Sequence, residues 1–274
     1  MEVVIARVNR NSAGMNFLLR GGGVRAVGQY VDETGRLKSF DMTGILLYRK
    51  PRSLYLRLEH TLAGKMEIGS NDEEFWVWER FDNPRYLWGR HELTDCASDV
   101  DLLVRPDHLL EMLGLGDLPT ETKGPTGPVP WTGWDYYELV FLTRNAAGQL
   151  RIAKTIDIER REPFLVRSIV YFRADGHPFM VAKLSEYKQI QGSTVLAPHK
   201  IRIEWRERQD RLELTFREMK RFDQPQAEKT YICRSPLQRG LVDPGCVERV
   251  DHPSWPGTRP TSSPAAQPDA VIKE

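Results

Sequence analysis

Leu54-Tyr55-Leu56-Arg57-Leu58-Glu59 is the stretch that decides the fold, because its leucines alternate strictly with other residues. Successive side chains of a β-strand point to opposite faces, so this stretch predicts a strand with one apolar face and one charged face. The same alternation recurs in residues 201–206 and 212–217. Repeated along a chain, it is typical of a large antiparallel sheet with one wet face and one apolar face.

The predicted strands fall into two groups separated by a non-strand region. The first group lies between residues 24 and 91 and the second between residues 135 and 220, with turn residues about every ten positions. A sheet of this size tends to curl. If it curls without closing, it forms a trough for which helices are the natural filling, so we predict a mainly β (α+β) fold with an antiparallel sheet of about 10–11 strands.

The N-terminal region predicts a helix over residues 3–19. Polar and small residues at 9–14 weaken its middle, and the three glycines at 21–23 are expected to end it. Placed before the strands, this helix is a natural filling for the concave side of a curved sheet.

The region between the two strand groups predicts a short helix followed by a long loop. Pro106 suits the first turn of a helix over residues 105–114, and Gly114 suits its end. Residues 116–133 hold four prolines and four glycines, and loops of this length often act as lids or binding elements. We predict that this helix, too, plugs the concave side.

Length and composition indicate one folded domain with a tail. The chain has 274 residues, of which 40% are hydrophobic, and a formal net charge of +1. We predict a single domain over residues 1–245 and a Pro/Ser-rich, disordered tail over residues 246–274. The near-zero charge does not favour a nucleic-acid partner. No apolar run is long enough for a transmembrane span.

The residues that carry catalysis or bind metals do not form a recognisable array. The six histidines are scattered, and no Gly-x-Ser-x-Gly elbow or phosphate-binding loop is present. His91 near Glu92 and Asp95, or His60 beside Glu59, imitates an acid–base set, but such neighbours are usually surface residues. We predict no enzyme activity, no metal site and no cofactor.

The three cysteines leave two alternatives open. Cys233 and Cys246 flank a loop that contains proline and glycine, so they are placed to form a disulfide in an oxidising compartment. The other alternative is that these two and Cys96 are all unpaired thiols. None of the spacings is typical of a zinc site.

Two stretches carry a resemblance to a known family. Residues 44–58 read GILLYRKPRSLYLRL and residues 68–78 read IGSNDEEFWVW. In the second half, Pro163-Phe164 leads to a hairpin from Tyr171 to Gly176 and then to Ile201-Arg202-Ile203-Glu204-Trp205. In order and pattern, residues 3–220 resemble the LolA/LolB-like outer-membrane lipoprotein carriers and lipoprotein-sorting proteins.

The resemblance implies a strongly curved, unclosed antiparallel β-barrel, a half-barrel whose concave side is plugged by the two helices. It also implies that this apolar concavity binds lipid, or the acyl chains of lipoproteins. It further implies a monomeric protein of the periplasm or outer membrane, from which the export signal is expected to have been removed. The alternative is an envelope sensor or scaffold of the same fold that binds a protein partner and no lipid. The predicted cavity residues are Leu54, Leu56, Leu58, Phe75, Trp76, Trp78, Leu109, Met112, Leu113, Ile203, Trp205, Leu214 and Phe216.

Overall fold

The computed structural model describes residues 2–31, 35–60, 64–80, 85–91, 106–119, 128–144, 148–173, 175–207, 209–222, 236 and 247–249. The elements in chain order are α1 (Glu2–Ala13), β1 (Leu19–Val31), β2 (Leu37–Arg49), β3 (Ser53–His60), β4 (Gly64–Ser70), β5 (Glu74–Arg80), β6 (Arg85–Arg90), α2 (Pro106–Met112), β7 (Val129–Thr132), β8 (Tyr136–Arg144), β9 (Leu150–Glu159), β10 (Val166–Phe172), β11 (Pro178–Gln189), β12 (Leu196–Trp205), β13 (Arg211–Arg221) and β14 (Val247–Arg249). The three cysteines lie outside the described residues, so both alternatives, a Cys233–Cys246 disulfide and three unpaired thiols, stay open.

The described strands form one open sheet in the order β14-β6-β5-β4-β3-β2-β1-β13-β12-β11-β10-β9-β8-β7. Every neighbouring pair is antiparallel except β14, which runs parallel to β6. Because β7 and β14 are separate edges, the sheet does not close into a barrel. The predicted fold class is confirmed, with fourteen described strands where the sequence predicted about 10–11.

Both helices lie on the concave side of the sheet. Val4, Ile5 and Val8 of α1 belong to the main hydrophobic core, as do Leu109 and Met112 of α2. The same core includes alternate residues of the strands from β1 to β6 and from β8 to β13, as the period of two requires. The position predicted for the helices is therefore confirmed.

The three glycines at 21–23 do not end a helix, which corrects the prediction. The helix ends at Ala13, and the glycines lie inside β1, where the register against β2 shifts between Gly21 and Val24. Gly23 has a φ of 56°, which favours glycine and is typical of a bulge. The glycines thus bend a central strand and help the sheet to curve.

Two short strands lie where the sequence predicted none. β7 falls inside the predicted loop 116–133, and its Pro130 is tolerated because β7 is an edge strand. β14 lies beyond the predicted domain boundary at residue 245 and extends the other edge. The remainder of the predicted tail lies outside the described residues.

A half-buried carboxylate on the convex face gives a prediction about stability. Burial raises the pKa of Asp157, and the nearby Asp135 charge adds to this, although the Ser168 hydroxyl and Arg167 oppose it. A raised pKa in the folded protein means that this group favours folding at low pH and that this contribution is lost as the pH rises through the folded pKa. At pH 7 the ionised Asp157 therefore lowers stability.

Asp157→Asn is expected to raise Tm at pH 7 by about 1–3 °C, since asparagine keeps an oxygen for the Ser168 hydroxyl without the charge. The gain should shrink as the pH falls towards about 4, the ordinary pKa of aspartate. Thermal melts of the wild type and the variant between pH 4 and pH 7 measure this difference in Tm. Asp41 is the control, because its pKa is lowered by the hydrogen bond from Arg25. Asp41→Asn should give no gain, and an equal gain would contradict the account.

Candidate ligand-binding site

Most of the predicted cavity residues lie on the concave face, where they are packed into the core. Each of them is at most 4% exposed and belongs to the main core cluster. They are Leu54, Leu56, Leu58, Phe75, Leu109, Met112, Leu113, Ile203, Leu214 and Phe216. Trp205 is half-buried and packs against the same cluster. Beneath the helices the concave face is therefore filled by the protein's own side chains.

Trp76 and Trp78 lie on the convex face, which corrects their predicted place in the cavity. Phe75 and Val77 belong to the main core, whereas Trp76 and Trp78 form a separate cluster with Tyr86. The five residues from Glu74 to Trp78 are all buried, so both faces of β5 are covered. A strand that is apolar on both faces gives no period from which to choose the inward face.

The segment after α2, residues 113–119, is held against α1, and we call it the plug segment. The Asn9 side-chain amide donates to Leu118 O at 2.8 Å, and its oxygen accepts from Leu118 N at 2.7 Å. Ser12 Oγ and Lys50 Nζ both donate to Asp117 Oδ1, the latter at 2.6 Å. Polar side chains of α1 and the end of β2 therefore fix the position of the plug segment.

The Asp117 carboxylate is stabilised in its charged form by this arrangement. Burial alone would raise the pKa of Asp117, but hydrogen bonds from Lys50 and Ser12 and the positive charge of Lys50 outweigh it and lower the pKa. The ion pair with Lys50 is therefore intact at neutral pH. Such a contact fixes geometry and contributes only modestly to stability, because Asp117 is 60% exposed.

Helix α2 is tied to the second strand group by its Glu111. One carboxylate oxygen forms an ion pair with Lys154 of β9, and the other accepts a hydrogen bond from the Tyr171 hydroxyl of β10 at 2.7 Å. The His108 ring of α2 lies 4.4 Å from the Tyr171 ring. Since α2 also contacts β4 and β5, it spans the trough between the two strand groups.

A cavity of about 250 Å³ lies between the plug segment and strands β8–β10. The strand wall is largely apolar and consists of Phe141, Ile156, Val166 and Ile169, with Lys154 among them. The opposite wall consists of Glu111, Gly114, Gly116, Asp117, Leu118 and Pro119. The cavity therefore lies on the concave face, where the plug segment and Glu111 of α2 do not fill the space above β8–β10.

A β-bulge in β9 limits how far the strand wall of the cavity extends towards the β8–β9 hairpin. Lys154 is paired with Phe141, whereas Ile152 is paired with Leu142, the next residue of β8, so the register shifts between them. Ile152 therefore points to the face opposite Phe141 and Lys154. Ile152 and Leu150 are 37% and 44% exposed, and they form accessible apolar surface on the convex face that does not extend the cavity.

Sequence reasoning missed this cavity because it selected the most regular strands. Lys154 interrupts the apolar positions of β9 and reads as a solvated residue, although it faces the interior with a side chain only 23% exposed. The apolar Ile156, two residues after this lysine, was the available indication. It was not sufficient without the position of α2.

The hydroxyl and imidazole that come closest to a catalytic pair do not form one. His91 Nε2 lies 3.2 Å from Ser70 Oγ and 2.9 Å from Asn71 O. A carbonyl oxygen only accepts, so Nε2 carries the proton and does not take one from Ser70. Among the described residues no group of three or more His, Cys, Asp or Glu side chains could hold a metal ion.

The chain is similar to several solved structures at low sequence identity. A LolA superfamily protein from Nitrosomonas europaea is 12% identical with a TM-score of 0.49, and the match covers 83% of this chain and 96% of that one. A DUF1329 family protein from Desulfovibrio piger is 9% identical with a TM-score of 0.49, over 83% and 94% of the two chains. A proposed outer membrane lipoprotein-sorting protein domain from Vibrio parahaemolyticus is 8% identical with a TM-score of 0.44, over 86% and 97%.

No family model and no curated protein matches the chain. The layout implied by the LolA/LolB resemblance, a curved open sheet with helices in its concavity, is the layout of the structure. At these identities and TM-scores the matches do not decide function, so the geometry of the cavity carries the argument below. Neither described helix is long and apolar enough to cross a membrane.

Proposed function

We propose that this protein is a bacterial cell-envelope protein that binds a lipid, or the acyl chain of a lipoprotein, on the concave face of its sheet. The observation that carries the proposal is the cavity between the plug segment and strands β8–β10, whose strand wall is largely apolar. It acts as a binding and transport protein without enzymatic chemistry. An acyl chain gains about 0.8 kcal/mol for each methylene that is buried, so an apolar wall of this kind stabilises a chain that lies against it.

The size of the cavity requires movement of the plug segment. Pockets for drug-sized ligands have volumes of roughly 300–1,000 Å³, and this cavity holds about 250 Å³. A long acyl chain therefore enters only when residues 113–119 move away from β8–β10. The segment is held by polar contacts from Asn9, Ser12 and Lys50 and by its own Leu113 and Leu115, which are fully buried in the main core and become exposed when it moves. Loading is then a population shift between a plugged and an open state.

The location follows from the LolA/LolB resemblance of residues 3–220. We place the protein in the periplasm or at the outer membrane, as a monomer that receives lipoprotein acyl chains. A fusion of the native gene to a reporter that is active only outside the cytoplasm tests this location. Activity confined to a cytoplasmic reporter would contradict it.

A synthetic diacylated lipopeptide tests the binding function directly. Native mass spectrometry should show a saturable one-to-one complex with the lipopeptide and no complex with the same peptide without acyl chains. The acyl chains are the only difference between the two ligands, so this comparison isolates the proposed interaction. Equal behaviour of the two peptides would overturn the proposal.

A second candidate function is favoured by the filling of most of the concave face. Ten of the predicted cavity residues are packed into the main core, which suits an envelope sensor or scaffold that binds a protein partner and no lipid. Trp131 and Trp134, which are 65% and 95% exposed beside the β7 edge, offer a surface for such a partner. Absence of lipopeptide binding, together with a partner complex that is lost in Trp131→Ser and Trp134→Ser, would favour this function.

A further inference from the structure

The polar side chains around the cavity are arranged as an anion-binding site. Of the described residues that line the cavity, Lys154 is the one cation. Its Nζ lies 5.0 Å from the centre of the Phe141 ring, and Ile156 follows it on the same face of β9. A lysine in such a position loses much of its hydration and requires a negative partner.

The partner that Lys154 has in the structure comes from the protein's own helix. Glu111 offers one oxygen to Lys154 and the other to the Tyr171 hydroxyl, at 2.7 Å. One cation and one neutral donor therefore converge on the two oxygens of a single carboxylate. This is the geometry by which a carboxylate or phosphate group is recognised, since charge-assisted hydrogen bonds are stronger than neutral ones.

We propose that Lys154 and Tyr171 bind the anionic headgroup of a single-chain amphiphile, and that Glu111 occupies this site while the cavity is empty. This inference rests on the proposed function, because it assigns the headgroup of the ligand whose chain enters the cavity. When the plug segment and α2 move, Glu111 leaves Lys154 and Tyr171. A carboxylate or phosphate at the end of an acyl chain then replaces it, whereas a neutral headgroup offers Lys154 no negative charge.

The expected consequence is selectivity for a charged headgroup over a neutral one on the same chain. A site built to hydrogen-bond a ligand group discriminates strongly against an analogue that lacks it, because its own buried groups are then unpaired. We expect at least about tenfold tighter binding of an anionic amphiphile than of a neutral amphiphile with the same chain length.

The test compares decanoate, decyl phosphate and decanol by calorimetric titration at neutral pH. The wild-type protein should bind decanol weakly and at least one of the two anions more than tenfold tighter, and the better anion identifies carboxylate or phosphate as the preferred group. Lys154→Met should bring the anion-to-decanol ratio close to one. Glu111→Gln should strengthen anion binding, since it weakens the internal competitor.

Lys200→Met is the matched control. Lys200 is also half-buried and paired with a glutamate, Glu213 at 2.9 Å, but it lies on the convex face, next to the inward-facing Ile201. Lys200→Met should leave the anion-to-decanol affinity ratio unchanged. Should Lys154→Met fail to fold, two other single variants test the same site. Tyr171→Phe should reduce the anion-to-decanol ratio, and Glu111→Gln should raise it.

The outcomes separate this inference from the proposed function. Equal binding of decanol and the anions by the wild type would overturn the headgroup site and leave the acyl-chain function standing. A ratio that survives in Lys154→Met would also overturn it, since the anion would then bind elsewhere. Binding of none of the three ligands would overturn the acyl-chain function itself.

Discussion

Ile169→Trp is expected to weaken binding of an acylated ligand at least tenfold, or about 1.4 kcal/mol, while the fold is kept. Ile169 is 2% exposed and lines the cavity from β10. The larger indole enters the space of about 250 Å³ that the acyl chain would occupy. Because that space is empty, the overpacking that usually costs about 1–3 kcal/mol is partly avoided. Titration with the diacylated lipopeptide measures the change.

Val170→Trp provides the comparison for this substitution. Val170 is the next residue of β10, is half-buried, and points to the opposite face. Val170→Trp therefore introduces the same indole side chain into the same strand, but outside the cavity. We expect wild-type affinity from Val170→Trp. Equal losses in the two variants would mean that the cavity is not the binding site.

Asn9→Ala is expected to tighten acyl binding by about 5–150-fold while it destabilises the protein. The two hydrogen bonds between Asn9 and Leu118 hold the plug segment, and each contributes about 0.5–1.5 kcal/mol to stability. A ligand that must displace the segment breaks both bonds. Without these bonds, the binding free energy is therefore more favourable by about 1–3 kcal/mol, which corresponds to an affinity about 5–150-fold higher. Lipopeptide titration and denaturant unfolding of the same sample measure both effects.

Asn11→Ala separates release of the plug segment from loss of stability. Asn11 lies on the same helix, is also half-buried, and makes the same pair of bonds, at 2.9 and 2.8 Å, but to Leu196 of β12. We expect a similar loss of stability with no gain in affinity. Tighter binding by Asn11→Ala, or unchanged binding by Asn9→Ala, would show that the plug segment does not gate the site.

These asparagines show why the sequence predicted the fold better than the site. As residues of a helix they weaken it, and the sequence indicates no more than that. Their role depends on partners 109 and 185 residues away in the chain. Alternation in β3, β12 and β13 depends only on neighbouring residues, so those strands and their inward residues were predicted closely.

The corrections follow the same division between local and long-range information. Trp76 and Trp78 were assigned to the cavity because β5 is apolar on both faces, and only the packing against Tyr86 places them on the convex side. The triple glycine reads as a helix end locally, whereas the pairing of β1 with β2 makes it a bulge. The cavity itself depends on where the plug segment lies over β8–β10, which no periodicity specifies.

The measurement that tests the central claim most directly is photo-crosslinking with a diacylated lipopeptide that carries a diazirine at the end of one acyl chain. After irradiation, peptide mass spectrometry should place the label in residues 111–119 and on strands β8–β10, around Ile156 and Ile169. An excess of unlabelled lipopeptide should remove it. Label that persists under competition, or that is found only at the exposed Trp131 and Trp134, would contradict the account.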